Sequence, residues 1–176
     1  AALSPNSSLR PRLGTLLIAF AGPYLPRSAS AFIGNATLCV GFVLTAYLAW
    51  TLDHRPATDQ IVHMSFGTWA HLGSLSIPFG LLIDPLALTW MLVITGVGFL
   101  IHLYSAGYMA DDRNYRTFFA YMNLFVFTML LLVMSDNFLW LLVGWGGVGL
   151  ASYLLIGFYY DRRVAVHAAR KALIMS

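Results

Sequence analysis

Apolar residues fall in long runs along this chain, and short polar segments separate them. The runs cover residues 13–26, 29–51, 85–109, 117–134 and 138–160. A helix rises ~1.5 Å per residue, so about 20 residues cross a hydrocarbon layer roughly 30 Å thick. The last four runs suit that length, and the first is borderline. Polar punctuation supports helices in these places. Asp84-Pro85 reads as an N-cap followed by proline at the first helical position. Asp136, in the tight turn Ser135-Asp136-Asn137, is expected to cap the run at 138–160. Residues 172–176 read as the start of a sixth span without its remainder.

The stretch 52–83 has a different pattern. Apolar positions partly alternate through Ile61-Val-His-Met-Ser-Phe66 and again through Leu75-Ser-Ile-Pro-Phe-Gly-Leu81, the period of a strand. This predicts an extra-membrane β-hairpin with its turn in the region 69–74. The expected fold is therefore an all-α integral membrane chain. It has about five transmembrane helices and the start of a sixth, with the hairpin as an outside loop between the second and third.

Composition excludes a water-soluble alternative. The 176 residues are 59% hydrophobic and 10% charged, whereas soluble domains carry about a quarter charged residues. All seven acids are Asp, and Lys171 is the sole lysine. The run at 13–26 also admits a signal-peptide reading, with Ala29-Ser30-Ala31 as the cleavage site. A helix is preferred, because cleavage after Ala31 would leave a chain beginning inside the next apolar run. The positive charges are asymmetric. With five spans, Arg10, Arg12 and Arg55 fall on one side. Arg27, Arg113, Arg116, Arg162, Arg163, Arg170 and Lys171 fall on the other. The positive-inside rule makes the second side cytoplasmic, or matrix or stromal in an organelle, with the N-terminus and the hairpin outside. No basic stripe suited to nucleic acid is present, and the single Cys39 offers neither a disulfide framework nor a cysteine metal site. His63 and His71 lack a third ligand at metal-site spacing and read as loop histidines.

His102 is the ionisable side chain set well inside a run. It could carry a proton, with an ordinary pKa of about 6.5; the simpler reading is a neutral histidine hydrogen-bonded at a helix interface. Ser152 and Tyr153 could orient water beside a buried path, although such residues more often pack or bond locally. The last run holds Gly144, Gly146, Gly147 and Gly149, each disfavouring helix by about 1 kcal/mol relative to Ala. Close helix approach or a local helix opening is the expected compensation.

Four blocks together resemble one family: Ile77-Pro-Phe-Gly-Leu-Leu-Ile-Asp-Pro-Leu86, Gly98-Phe-Leu-Ile-His-Leu-Tyr-Ser-Ala-Gly-Tyr-Met109, Phe118-Phe-Ala-Tyr-Met-Asn-Leu-Phe125 and Gly144-Trp-Gly-Gly-Val-Gly-Leu-Ala-Ser-Tyr-Leu-Leu-Ile-Gly-Phe158. In order and spacing they resemble the N-terminal portion of the antiporter-like L subunit, or chain 5, of proton-pumping NADH:quinone oxidoreductase, respiratory complex I. The resemblance implies a multi-helix fold with an outside N-terminus and a part in proton translocation coupled to quinone reduction. It also implies other complex I membrane subunits and the lipid bilayer as partners, with no nucleic acid. NADH, FMN, iron–sulfur clusters and quinone would sit on other subunits, so this chain would hold no cofactor or metal and would not be catalytic alone. The implied membrane is the bacterial inner membrane, or by family the mitochondrial inner membrane or thylakoid.

The sequence departs from the family at one informative position. The family places a glutamate directly after the tryptophan of the last block, and this chain has Gly146 there. Glycine can neither hold a proton nor bias a neighbouring pKa. The family's intramembrane lysines also lie on later helices, beyond the length of this sequence. Two alternatives follow: a degenerate or split remnant that packs helices without moving ions, and a piece of a related cation/proton antiporter or anion-uptake complex. The topology has a direct test. Cysteines introduced at Ser65 and Asn114 are expected to react with an impermeant thiol reagent from opposite faces, and reaction from one face would contradict the five-span arrangement.

Overall fold

The computed structural model describes residues 27–56, 60–72 and 75–175. In chain order these form α1 (Arg27–Asp53), β1 (Val62–Leu72), β2 (Leu75–Ile83), α2 (Pro85–Tyr108), α3 (Tyr115–Val133), α4 (Phe138–Ile156) and α5 (Arg163–Met175). Among the described residues, α1 to α4 are long and apolar enough to cross a membrane. The expected span at 13–26 lies outside them. Large apolar side chains such as Phe32, Trp90, Tyr104, Phe127 and Phe138 stand on the outer surface. In water they would form apolar patches far beyond the few hundred Å² that soluble monomers tolerate; in a bilayer they meet acyl chains. The fold is that of a mainly helical integral membrane protein with one small antiparallel sheet.

The helix ends follow from individual side chains. The Asp84 carboxylate accepts from the Ala87 amide at 2.6 Å, and Pro85 fills the first helical position. At α4 the cap expected of Asp136 belongs instead to its neighbour. Asn137 has extended backbone and its Oδ1 accepts from the Trp140 amide at 3.1 Å. Asn137 directly precedes the first helical residue, so its side chain reaches the third amide of the helix, whereas Asp136 starts one residue too early. The Asp136 Oδ1 accepts from the Asn137 side-chain amide at 2.7 Å. Helix α4 also stops at Ile156, short of the expected residue 160, because Gly157 closes it and the chain then turns. The turn lets Phe158 pack edge-on against Phe118, with ring centroids 5.4 Å apart. It also brings the Tyr159 hydroxyl to the Asp112 carboxylate, to which it donates at 3.0 Å. That bond holds the Tyr159 phenol above its ordinary pKa. The tie is therefore fully present below the usual phenol range and is lost only as pH rises through the elevated value.

The hairpin pairs Val62 with Ile83, Ser65 with Gly80 and Leu72 with Leu75, so strand pairing occupies part of the region expected to turn. The register breaks between Ser65 and Thr68. Gly67 lies in that break with φ +113, a backbone conformation that a side chain would strain. Strand β2 then rests on the α3–α4 turn. Leu82 donates its amide to the Met134 carbonyl at 2.8 Å, and the Asn137 amide donates to the Pro78 carbonyl at 3.0 Å. The Phe79 and Trp140 rings pack at a tilt, with centroids 4.4 Å apart. A Cβ on Gly80 would collide with the Asp136 carboxylate, so close approach sets that glycine.

One buried cluster, Leu52, Ile83, Leu88 and Met91, closes the hairpin end. A second, Ala31, Met109, Tyr115, Phe119 and Phe158, closes the opposite end, where the α2–α3 and α4–α5 turns meet. The cap assignment predicts unequal effects of two adjacent substitutions. Asn137→Ala should lower stability by about 1–2 kcal/mol through loss of the cap and the Pro78 contact. Asp136→Ala should cost clearly less. Reversible unfolding in detergent micelles compares them, and equal losses would contradict the assignment.

Candidate functional site

The glycines of α4 divide by direction. Gly144 faces α3 so closely that an added Cβ would lie 2.7 Å from Leu132 Cα and 2.8 Å from its amide nitrogen. Backbone cannot give way there, so the close approach requires glycine. On the same side, a Cβ on Gly147 would meet Thr128 Cγ2 at 2.6 Å, and Ala151 is fully buried. Gly144, Gly147 and Ala151 thus form the small-residue face along which α4 packs on α3. Gly146 points elsewhere. A Cβ there would meet nothing within 4 Å, and the residue is exposed beside Trp145. The position that lacks a carboxylate is accordingly sterically free to hold a side chain, and the glycine is not explained by packing.

Ser152 and Tyr153 are half-buried on the following turn of α4. No hydrogen bond joins either side chain to His102, which lies on α2, with α3 packed against both helices. The proton-path candidates are therefore not assembled into one site. Asp84 lines an open cleft with Leu82, Leu86, Ala87, Trp90, Leu132 and Val133. Its neighbours there are apolar and its carboxylate is engaged by the Ala87 amide, so it serves as a helix cap.

His102 is buried where α2 packs on α3. Its side chain is 0% exposed, and its ring meets the edge of Phe119 at 5.9 Å. Nδ1 lies 2.8 Å from the Gly98 carbonyl. A carbonyl oxygen only accepts, so Nδ1 must carry a proton, and neutral His102 presents a bare Nε2 lone pair. That atom is buried without a hydrogen-bond partner.

Two amides lie inside neighbouring helices, and sequence reasoning did not single them out. Asn35 on α1 donates to the Ala31 carbonyl at 2.9 Å, and Asn123 on α3 donates to the Phe119 carbonyl at 2.8 Å. Asn123 also packs on Gly34, where an added Cβ would lie 2.8 Å from its nitrogen. The available signal was an amide inside each of two apolar runs, with a histidine inside a third. No group of His, Cys, Asp or Glu suited to a metal occurs among the described residues.

Comparison with known proteins finds relatives over most of the chain. Residues 69–119, which include the hairpin's second strand, all of α2 and His102, match a family model described as the N-terminus of chain 5 of NADH-ubiquinone oxidoreductase (complex I). Over 169 residues, 94% of this chain, the sequence is 44% identical to NADH-quinone oxidoreductase subunit L of Mycobacterium tuberculosis, covering 26% of that protein. It is 40% identical to subunit L of Escherichia coli over 94% of this chain and 27% of that protein. Chain 5 of NADH-ubiquinone oxidoreductase of Dictyostelium discoideum is 37% identical over 94% of this chain and 24% of its own length. The chain spans about a quarter of the length of these curated relatives.

The two glycine environments predict opposite responses. Gly144→Ala should destabilise by about 1–3 kcal/mol through overpacking against the Leu132 backbone. Gly146→Ala should be neutral or stabilising by up to about 1 kcal/mol, from helix propensity alone. Unfolding of both variants in micelles or bilayers measures this, and destabilisation at Gly146 as large as at Gly144 would contradict the assigned directions.

Proposed function

We propose that this chain, which resembles the N-terminal part of complex I subunit L over nearly all its length, is a membrane-arm component of a proton-translocating NADH:quinone oxidoreductase. The observation that carries the reading is the match itself: 44% identity over 94% of the chain to a protein named as that subunit. The chain carries out no redox chemistry. NADH, FMN, iron–sulfur clusters and quinone are bound by other subunits, and its partners are the other membrane subunits and the lipid around them. The arginine distribution supports an outside N-terminus and hairpin, in a bacterial inner membrane or its organellar counterpart.

Within that assembly the chain contributes helices more than charges. A proton crossing hydrocarbon needs ionisable groups or water at each stage. Gly146 supplies none, and the proton-path candidates are His102, Ser152 and Tyr153. His102 is the imidazole among them, and its Nε2 is the atom that would accept a proton. The remnant reading, in which the chain only packs helices, is favoured by one specific observation: Gly146 stands open where a carboxylate would fit.

Proton uptake by inside-out membrane vesicles energised with NADH separates these readings. Loss of this chain is expected to lower the protons moved per NADH while oxidation of NADH by an artificial acceptor persists, and His102→Ala is expected to lower the same ratio. An unchanged ratio in the absence of the chain, or after both His102→Ala and Gly146→Glu, would leave the remnant reading. A ratio that depends on sodium would indicate a cation antiporter instead.

A further inference from the structure

Helix α5 turns two unlike faces to its surroundings. Residues 163, 167, 170, 171 and 174 share one side of a helix, by their spacing. That side carries Arg163, His167, Arg170 and Lys171, all exposed, with exposed Ile174 among them. The opposite side is Ala165, Ala169 and Ala172, of which Ala169 is buried. A Cβ added to Gly157, the C-cap of α4, would lie 3.3 Å from Ala169 Cβ. Ala169 therefore sits at the level where the α4 span ends. At ~1.5 Å per residue, Arg163 is about 9 Å from that point along α5, and Lys171 about 3 Å. The basic face thus stands at one edge of the hydrocarbon layer.

Among the described residues nothing neutralises that face. Helix α5 contains no acid, and no ion pair there engages Arg163, Arg170 or Lys171. Arg162, just before the helix, differs: its guanidinium lies over the Tyr159 ring, 5.4 Å from the centroid. The Tyr159–Asp112 bond ties this corner to the α2–α3 turn, which adds exposed Arg113 and Arg116 to the same end of the bundle. The acids at that end are Asp111, Asp112 and Asp161, and all lie in the turns. Cations held beside a layer of low dielectric constant favour an anionic counterpart. Apolar neighbours narrow the chemistry. Val164 and Met175 line up with Lys171 at helical spacing, and both are exposed. An acidic peptide would cover the cations and leave these side chains bare. A phospholipid offers a phosphate and acyl chains together.

We propose that the basic face of α5 binds an anionic phospholipid, with the phosphate on Arg163, Arg170 and Lys171 and the acyl chains beside Val164, Ile174 and Met175. The guanidinium groups can each donate to two phosphate oxygens, and Lys171 adds a compact point charge. A zwitterionic lipid brings its own cation to the same place and gains less. The bound lipid anchors the α4–α5 corner at the charged leaflet. Binding of this kind requires a bilayer around the chain and is independent of the assembly the chain serves.

Native mass spectrometry of the full chain, released from nanodiscs of mixed phosphatidylglycerol and phosphatidylcholine, tests the site. The expected result is preferential retention of phosphatidylglycerol, declining as salt is added. The triple variant Arg163→Gln/Arg170→Gln/Lys171→Gln should lose that preference, by on the order of fivefold for each cation removed. Arg55→Gln, at the exposed hairpin end, should keep it. Equal retention of the two lipids by the wild-type chain, or an unchanged preference in the triple variant, would overturn the proposal. So would displacement of the lipid by inorganic phosphate at constant ionic strength, which would mark a site for any anion. A zero-length cross-link from Lys171 to a carboxylate of another protein in native membranes would assign the face to an acidic partner and overturn it too. The wild-type comparison decides the matter even if the triple variant does not fold.

Discussion

Polar atoms carried into a hydrocarbon layer must find their partners within the protein, because no bulk water is there to supply them. Much of this chain follows from that requirement. Backbone groups are satisfied by helices, and the two-stranded sheet, which has open edges, belongs outside the membrane. Within the helices, Thr45, Thr95 and Thr128 turn their hydroxyls to carbonyls of the preceding turn of their own helix. Asn35, His102 and Asn123 do the same with their nitrogens. Such back-bonding lets a helix carry a polar side chain inward without exposing a donor. It satisfies donors better than acceptors, however, and His102 Nε2 and Asn35 Oδ1 are left buried without a hydrogen-bond partner.

The same requirement explains where charge is absent. Every arginine of the described spans stands at or beyond a helix end, and the carboxylates of Asp84, Asp112 and Asp136 each accept hydrogen bonds in turns or caps. Inside the bundle, close packing replaces charge. Gly144 and Gly147 let α4 approach the α3 backbone and the Thr128 side chain. Gly146 serves no such contact. Its openness separates the two explanations for a glycine-rich helix, packing and function, on adjacent residues of one segment. It also means that the absence of a carboxylate there is a property of the sequence alone, since the helix geometry leaves room for one.

Much of this was legible in the sequence, for physical reasons that differ between elements. Run length and Asp84-Pro85 identified α2, because capping chemistry is local. Alternation identified the hairpin, because period two survives even in a short sheet. The failures were at termini. Assigning the α4 cap to Asp136 overlooked that reach to the third amide depends on which residue immediately precedes the helix, a one-residue distinction that two adjacent cap-forming side chains obscure. Extending α4 to 160 overlooked Gly157, whose apolar successors Phe158 and Tyr159 continue the hydrophobic pattern while the backbone turns away to reach Phe118 and Asp112. The contacts of His102 with Phe119 and of Asn123 with Gly34 were not readable at all, since they depend on how three helices pack. The different directions of Gly144 and Gly146 were likewise hidden until the α3–α4 contact was known.

The proposed place of this chain in a membrane assembly that oxidises NADH can be tested by co-purification. Gentle detergent extraction of native membranes through an affinity tag on this chain, followed by measurement of NADH:quinone activity and of bound FMN in the purified material, tests it most directly. NADH:quinone oxidoreductase activity and FMN are expected to co-purify with the chain at a constant ratio through successive steps. Recovery of the chain in a discrete membrane assembly devoid of both would contradict it.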